Sequence, residues 1–237
     1  MFSYSQATPL QSVLVAAFLL LLGISLVALL RTPDRKYLFG LFLSAFIVRV
    51  IFVYVIYYYL ISVGGDGFLF QDDREYSNAG SHIAASLLEG GEGYSLYSWH
   101  QNPGYFYFNG WLYSILGVDT LSSRMINALL SSFTAVLIFM ISRILFEDRV
   151  AKIAAFLYAF MPSVVLLSAT QFKDTALIFI MTFVVYLFIA NKDKKINVRL
   201  ILIAASALFI LWFLRKDYVL PYIGVLTIWI LLRHTRS

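Results

Sequence analysis

The sequence predicts an all-α integral membrane protein of about seven transmembrane helices. A long outer first loop carries two interfacial helices. Three observations support this. Of 237 residues, 61% are hydrophobic and only 13% charged, whereas a soluble domain holds roughly a quarter charged residues. Seven apolar stretches approach or reach the roughly 20 residues that a helical bilayer crossing needs. The charged residues between those stretches sort by sign to opposite sides.

The stretches run approximately Leu10–Leu30, Leu38–Val63, Ser122–Leu145, Ile153–Ala169, Thr175–Ala190, Leu200–Leu214 and Tyr218–Leu232. The flank before the first carries no positive charge and no small-residue cleavage site follows it, so it reads as a retained anchor rather than a signal peptide. With the N-terminus outside, twelve of the 18 basic residues fall in inner loops, among them Arg31, Arg35, Lys36, Arg143, Arg149, Lys152, Lys192 and Arg199. The outer side holds Arg74, Arg124, Lys173, Arg215 and Lys216, with nine of the 13 acids. That is the distribution the positive-inside rule requires. The net charge of +5 is therefore a topology signal and gives no reason to expect a nucleic-acid partner. With no cysteine in the chain, disulfide scaffolds, thiolate chemistry and Cys-bound zinc are excluded.

Residues 64–121 form the one long connection. They are rich in Tyr, Phe and Trp, which argues against disorder and favours the membrane–water interface. Within them Glu75–Glu89 reads as a helix, with Ala79, Ile83 and Leu87 spaced by four and Gly90-Gly91 ending it. A second helix runs from about Tyr105 to Leu116 and stops at Gly117. At the head of the loop stands Gln71-Asp72-Asp73-Arg74-Glu75-Tyr76. Adjacent carboxylates just beyond a span can serve as a catalytic base, as metal ligands, or as the N-cap of the following helix.

Arg49 lies in mid-span, where a charge costs at least about 2.5 kcal/mol. It is expected to face the bundle and find a structural partner. Arg124 either serves the site or pairs with Asp119 at the start of its own helix. Lys173, Arg215 and Lys216 stand at outer helix ends. Each alone is explained by snorkelling; as a set opposite the acidic loop they suit a phosphate. The three histidines, His82, His100 and His234, are too few for a His-rich metal site.

In order and spacing these residues resemble the first luminal or periplasmic loop of the C-type glycosyltransferase superfamily. The branch most similar is that of protein O-mannosyltransferases and bacterial lipid A aminoarabinose transferases. The resemblance rests on Arg49, Asp72-Asp73, Tyr76, the helix ending at Gly90-Gly91, His100-Gln101-Asn102-Pro103, the helix ending at Gly117, Arg124 with Asn127, Pro162 and Asp174. The histidine element lacks the family's first proline. Residues 1–37 look like an added helix and its cytoplasmic loop, 38–190 like the family module, and 191–237 like two further spans where most relatives continue, as in a truncated chain or a short natural member.

The resemblance implies a membrane glycosyltransferase of inverting type. It would move a sugar from a polyprenyl-phosphate-linked donor to a glycan, lipid or protein acceptor on the outer face. Asp72 takes the position of the family's catalytic Asp, as general base, and Asp73 is its partner in catalysis or metal binding. Tyr76, His100, Lys173, Asp174, Arg215 and Lys216 are the candidate substrate-binding residues, and Arg49 and Arg124 the structural ones. Any divalent cation would draw on Asp72, Asp73 and Asp174; whether one is used stays open. The expected setting is the plasma (inner) membrane of a prokaryote rather than the endoplasmic reticulum, with the C-terminus cytoplasmic and membrane lipids as neighbours. The alternative is a non-catalytic scaffold or a lipid-linked-sugar binding subunit of a glycan assembly complex, acting as an oligomer or with a partner subunit.

Overall fold

A computed structural model describes residues 9–90, 102–193, 198–224 and 227. All regular structure among them is helical. The elements are α1 (Pro9–Leu29), α2 (Arg35–Ser62), α3 (Gln71–Glu89), α4 (Gly104–Leu116), α5 (Thr120–Leu145), α6 (Asp148–Phe160), α7 (Pro162–Ser168), α8 (Lys173–Ala190) and α9 (Val198–Leu214), then a 3-10 turn at Lys216–Tyr218.

Four helices (α1, α2, α5 and α8) are long and apolar enough to cross a membrane. Helices α6 and α7 supply a fifth span if taken as one bent unit, with 53° between them. Helix α9, at 17 residues, is shorter, and most of the stretch expected at Tyr218–Leu232 lies outside the described residues. The chain is thus a multi-pass helical membrane protein, with four to five candidate spans rather than seven among the described residues.

The bend has a sequence cause. Met161 is extended between the two helices and Pro162 opens α7, where a missing N–H costs nothing. The break leaves carbonyls at the end of α6 without intrahelical partners. Arg49, fully buried on α2, donates from Nη1 to one of them, Ala159 O, at 2.9 Å, and to Ala45 O at 3.0 Å. The mid-span charge expected to need a partner has found two carbonyls.

Helix α5 is the hub, packing against α1, α2, α6, α7, α8 and the end of α4. One apolar core joins α1, α2, α5 and α6 around Leu38, Phe42, Phe46, Met125 and Phe139; a second joins α3, α4, α8 and α9 around Tyr76, Ile83, Tyr105, Leu177 and Leu211. Helix α1 docks on α2 through Gly23: a Cβ there would stand 2.0 Å from Phe42 Cζ. Small residues permit such close approach where lipid gives no hydrophobic drive between helices.

The loop charges gather as their sequence positions demand. At one end Arg143 reaches Asp34 at 3.4 Å, Lys152 pairs with Asp148 at 2.6 Å, and Tyr37 donates to Lys152 O. The acids of α3, Lys173 at the start of α8 and Arg215 after α9 lie at the other end.

Two local expectations are corrected. The first loop helix begins at Gln71, not Glu75, and its N-cap is Phe70, which offers no side-chain acceptor. Asp72 and Asp73 lie inside the first turn, where they favour the helix dipole but are not the N-cap. Arg124 does not pair with Asp119. Asp119 caps α5, accepting from Leu121 N at 3.0 Å and from Ser122 Oγ.

Candidate active site

Helices α3 and α4 cross through two glycines. A Cβ on Gly80 would stand 2.7 Å from Asn109 Cβ, and one on Gly110 would stand 2.4 Å from Ile83 Cγ2. That approach presses the acidic turn of α3 against the start of α5 and the loop before α8. The two neighbouring aspartates meet different fates there. One turn of helix advances 100° per residue, so one carboxylate faces in and the next faces out.

Asp73 is fully buried. Its Oδ2 accepts from Arg124 Nη2 at 2.8 Å and from Leu69 N at 3.4 Å, and its Oδ1 from Gln171 N at 2.8 Å. Burial pushes its carboxyl up, and the Arg124 guanidinium and the two backbone N–H groups pull back against that. Arg124, also fully buried, donates in addition to Gly67 O at 2.9 Å. Its guanidinium carbon lies 5.5 Å from the Phe68 ring centroid and 6.0 Å from that of Tyr57, within the range of cation–π attraction. Asp72 is exposed.

Around Asp72 the structure assembles most of the expected set. Tyr76 lies one turn on, buried, its ring edge-on to Tyr105 at 4.9 Å. Burial pushes its phenol up, and so do Asp72, Asp174 and Glu75, with Arg215 opposing them. Lys173 Nζ lies 5.7 Å from the Tyr76 centroid. Arg215 Nη1 pairs with Asp174 Oδ1 at 3.3 Å, and its guanidinium covers the Tyr218 ring at 4.7 Å. Both members of that pair are partly exposed, so its worth in stability is small. Lys216 has an exposed side chain, and its backbone N–H donates to Asn102 Oδ1 at 3.1 Å. That bond brings the end of the histidine element to the cationic turn. His100 lies outside the described residues.

Beside Asp72, on the next face of α3, opens a cleft of about 480 Å³ lined by Phe68, Leu69, Phe70, Gln71, Arg74, Glu75, Asn78 and Ala79. Among the described residues no three of His, Asp and Glu converge as a metal site.

Sequence reasoning missed the polar layer beneath the site. Gln171, Asn109, Tyr113 and Ser123 are buried and mutually hydrogen-bonded. Asn127 donates to Thr170 O and Phe172 O. The available signal was the polar run at the start of α5 (Ser122, Ser123, Asn127, Ser131, Ser132) on a helix otherwise fit for lipid.

A helical membrane protein with carboxylates and cations gathered at one end of its bundle is suited to group transfer at a membrane surface. The dolichyl-phosphate-mannose-protein mannosyltransferase family matches residues 100–237, more than half the chain, and the chain belongs to that family. It is accordingly a membrane glycosyltransferase using a polyprenyl-phosphate-linked sugar. Arg124, Lys173, Asp174, Arg215 and Lys216 fall inside the matched residues, whereas Asp72, Asp73 and Tyr76 precede them. Searches of curated proteins and of solved structures return no match.

Proposed function

We propose that the chain transfers its sugar by inversion to an acceptor on the outer face, with Asp72 as general base. The acceptor hydroxyl gives its proton to Asp72 as its oxygen attacks the anomeric carbon. The bond between that carbon and the phosphate oxygen breaks, and polyprenyl phosphate leaves. Lys173 and Arg215, with Lys216 at the rim, take up the negative charge that grows on the leaving phosphate. Cations placed where charge develops stabilise the transition state more than the ground state.

The observation that carries the reading is the different setting of the paired aspartates. A base must reach its substrate, and Asp72 is exposed one helical turn from Tyr76, whose ring Lys173 Nζ approaches at 5.7 Å. Asp73 is engaged by three donors, so its part is to fix the first turn of α3 rather than to take a proton. Asp72 lies between two different surfaces. On one side Tyr76, Lys173 and the Asp174–Arg215 pair suit a sugar phosphate. On the other, the cleft lined by Phe68, Phe70, Gln71 and Glu75 suits an acceptor. Helices α3 and α4 lie along the outer membrane surface in this reading, and the Arg143–Asp34 end faces the cytoplasm.

The test is transfer by purified protein in membranes, with a panel of polyprenyl-phosphate sugars and a labelled acceptor. General-base loss is worth about 10²–10⁴-fold in rate. Asp72→Asn is expected to fall by that much while still binding donor. Transfer by Asp72→Asn at the wild-type rate refutes the assignment.

A further inference from the structure

Between α7 and α8 the chain runs through Ala169, Thr170, Gln171 and Phe172 without helix, and the next two residues are Lys173 and Asp174. A short polar connection is normally solvated, because buried backbone groups need partners. This one is buried from Ala169 to Gln171, and its backbone is held from two other helices. Asn127 of α5 donates to Thr170 O at 2.8 Å and to Phe172 O at 3.0 Å. Asp73 of α3 accepts the Gln171 N–H at 2.8 Å.

The Gln171 side chain, fully buried, goes further. Its Nε2 lies 2.7 Å from Asn109 Oδ1, 2.9 Å from Tyr113 OH and 2.9 Å from Ser123 Oγ. An amide nitrogen has two hydrogens, so three acceptors compete for two donors and Gln171 is held from both α4 and α5. Tyr113 OH is linked in turn to Ser77 Oγ on α3 at 2.9 Å. One residue therefore ties the turn bearing Asp72 and Asp73, through its backbone, to the segment bearing Lys173 and Asp174. Its side chain anchors the junction to two further helices.

We infer that Gln171 is a positioning residue that holds the Lys173–Asp174 edge in register with Asp72. This rests on the reading that Lys173 meets the donor phosphate. Misplacement of a catalytic group by about 1 Å can cost on the order of 10²-fold in rate. A buried network joining two halves of a site is a direct way to prevent it. A residue needed only for packing would change how much protein folds, not how each folded molecule responds to loss of Lys173.

The test is a double-mutant cycle in the membrane transfer assay, with rates per folded molecule. Gln171→Met keeps the backbone N–H and the bulk but removes the side-chain donor. The expected result is a fall in kcat of about tenfold or more for Gln171→Met and for Lys173→Met. Adding Gln171→Met to Lys173→Met should then cost less than about threefold, since coupled residues are not additive. If Lys173→Met is slow and Gln171→Met costs the same factor in both backgrounds, the inference fails and the phosphate reading stands. If Lys173→Met transfers at the wild-type rate, both fail. Should Gln171→Met not fold, Ser123→Ala removes one acceptor of the network with little change in bulk. Its expected loss of about two- to fivefold must likewise vanish in the Lys173→Met background, and an unchanged rate overturns the inference.

Discussion

Replacing Arg124 with Met tests how the acidic turn is held. The substitution leaves Asp73 buried with only the N–H groups of Leu69 and Gln171, the nearer at 2.8 Å. Breaking a buried ion pair by removing one partner costs about 3–5 kcal/mol. The loss should be largest in alkaline buffer. Burial already pushes the Asp73 carboxyl up, and without Arg124 the opposing cation is gone. A carboxyl whose folded value lies above its unfolded value of about 3.9 stabilises the fold only where it is protonated. The wild-type Asp73 carboxyl is itself raised, so the deficit of Arg124→Met should grow as pH rises above the wild-type folded value and level off above the higher value of the variant. The assay is thermal unfolding of detergent-solubilised protein across that range, for Arg124→Met, Asp73→Leu and the double variant. The double variant should recover most of the loss, because replacing both partners with apolar groups is often neutral. An Arg124→Met protein that melts like wild type at all pH values, or a double variant less stable than either single one, refutes the reasoning.

Two further predictions concern the crossing of α3 on α4 and the cationic edge. Gly110→Ala forces a methyl into the space 2.4 Å from Ile83 Cγ2, so overpacking should cost about 1–3 kcal/mol; thermal melting reads it, with Gly40→Ala, which meets nothing within 4 Å, as a comparison that should lose no stability and gain up to about 1 kcal/mol. Arg215→Met removes a charge-assisted contact worth about 1.5–3 kcal/mol that is made mostly in the transition state, so kcat should fall roughly 10- to 100-fold while Tm moves little, because the Asp174–Arg215 pair is partly exposed. Donor saturation curves and a thermal melt of that variant check the two halves of the statement.

The helices were legible in the sequence because lipid-facing surfaces leave a strong apolar signal, and α1, α2, α5 and α8 fall within a few residues of the expected stretches. The bend at Met161–Pro162 was legible only as a proline. What the freed Ala159 carbonyl does depends on Arg49, more than a hundred residues away. The same holds for the site. Charge type identified Lys173, Asp174 and Arg215, which do converge, and the family resemblance made Asp72 the base and Asp73 its partner without showing which carboxylate is exposed. Their separation into an exposed and a buried carboxylate follows from the helix starting at Gln71, a boundary that propensity sets poorly. Gln171 left no mark at all, since one amide beside an apolar stretch reads as loop until the helices around it are known.

Paired measurements on Asp72→Asn and Asp73→Asn separate the roles of the exposed and the buried carboxylate. Transfer rate and melting temperature are measured on the same preparations. Asp72→Asn should melt like wild type and transfer about 10²–10⁴-fold more slowly, whereas Asp73→Asn should lose stability because Arg124 is left buried without its counter-charge. A stable, inactive Asp73→Asn beside an active Asp72→Asn would contradict these roles.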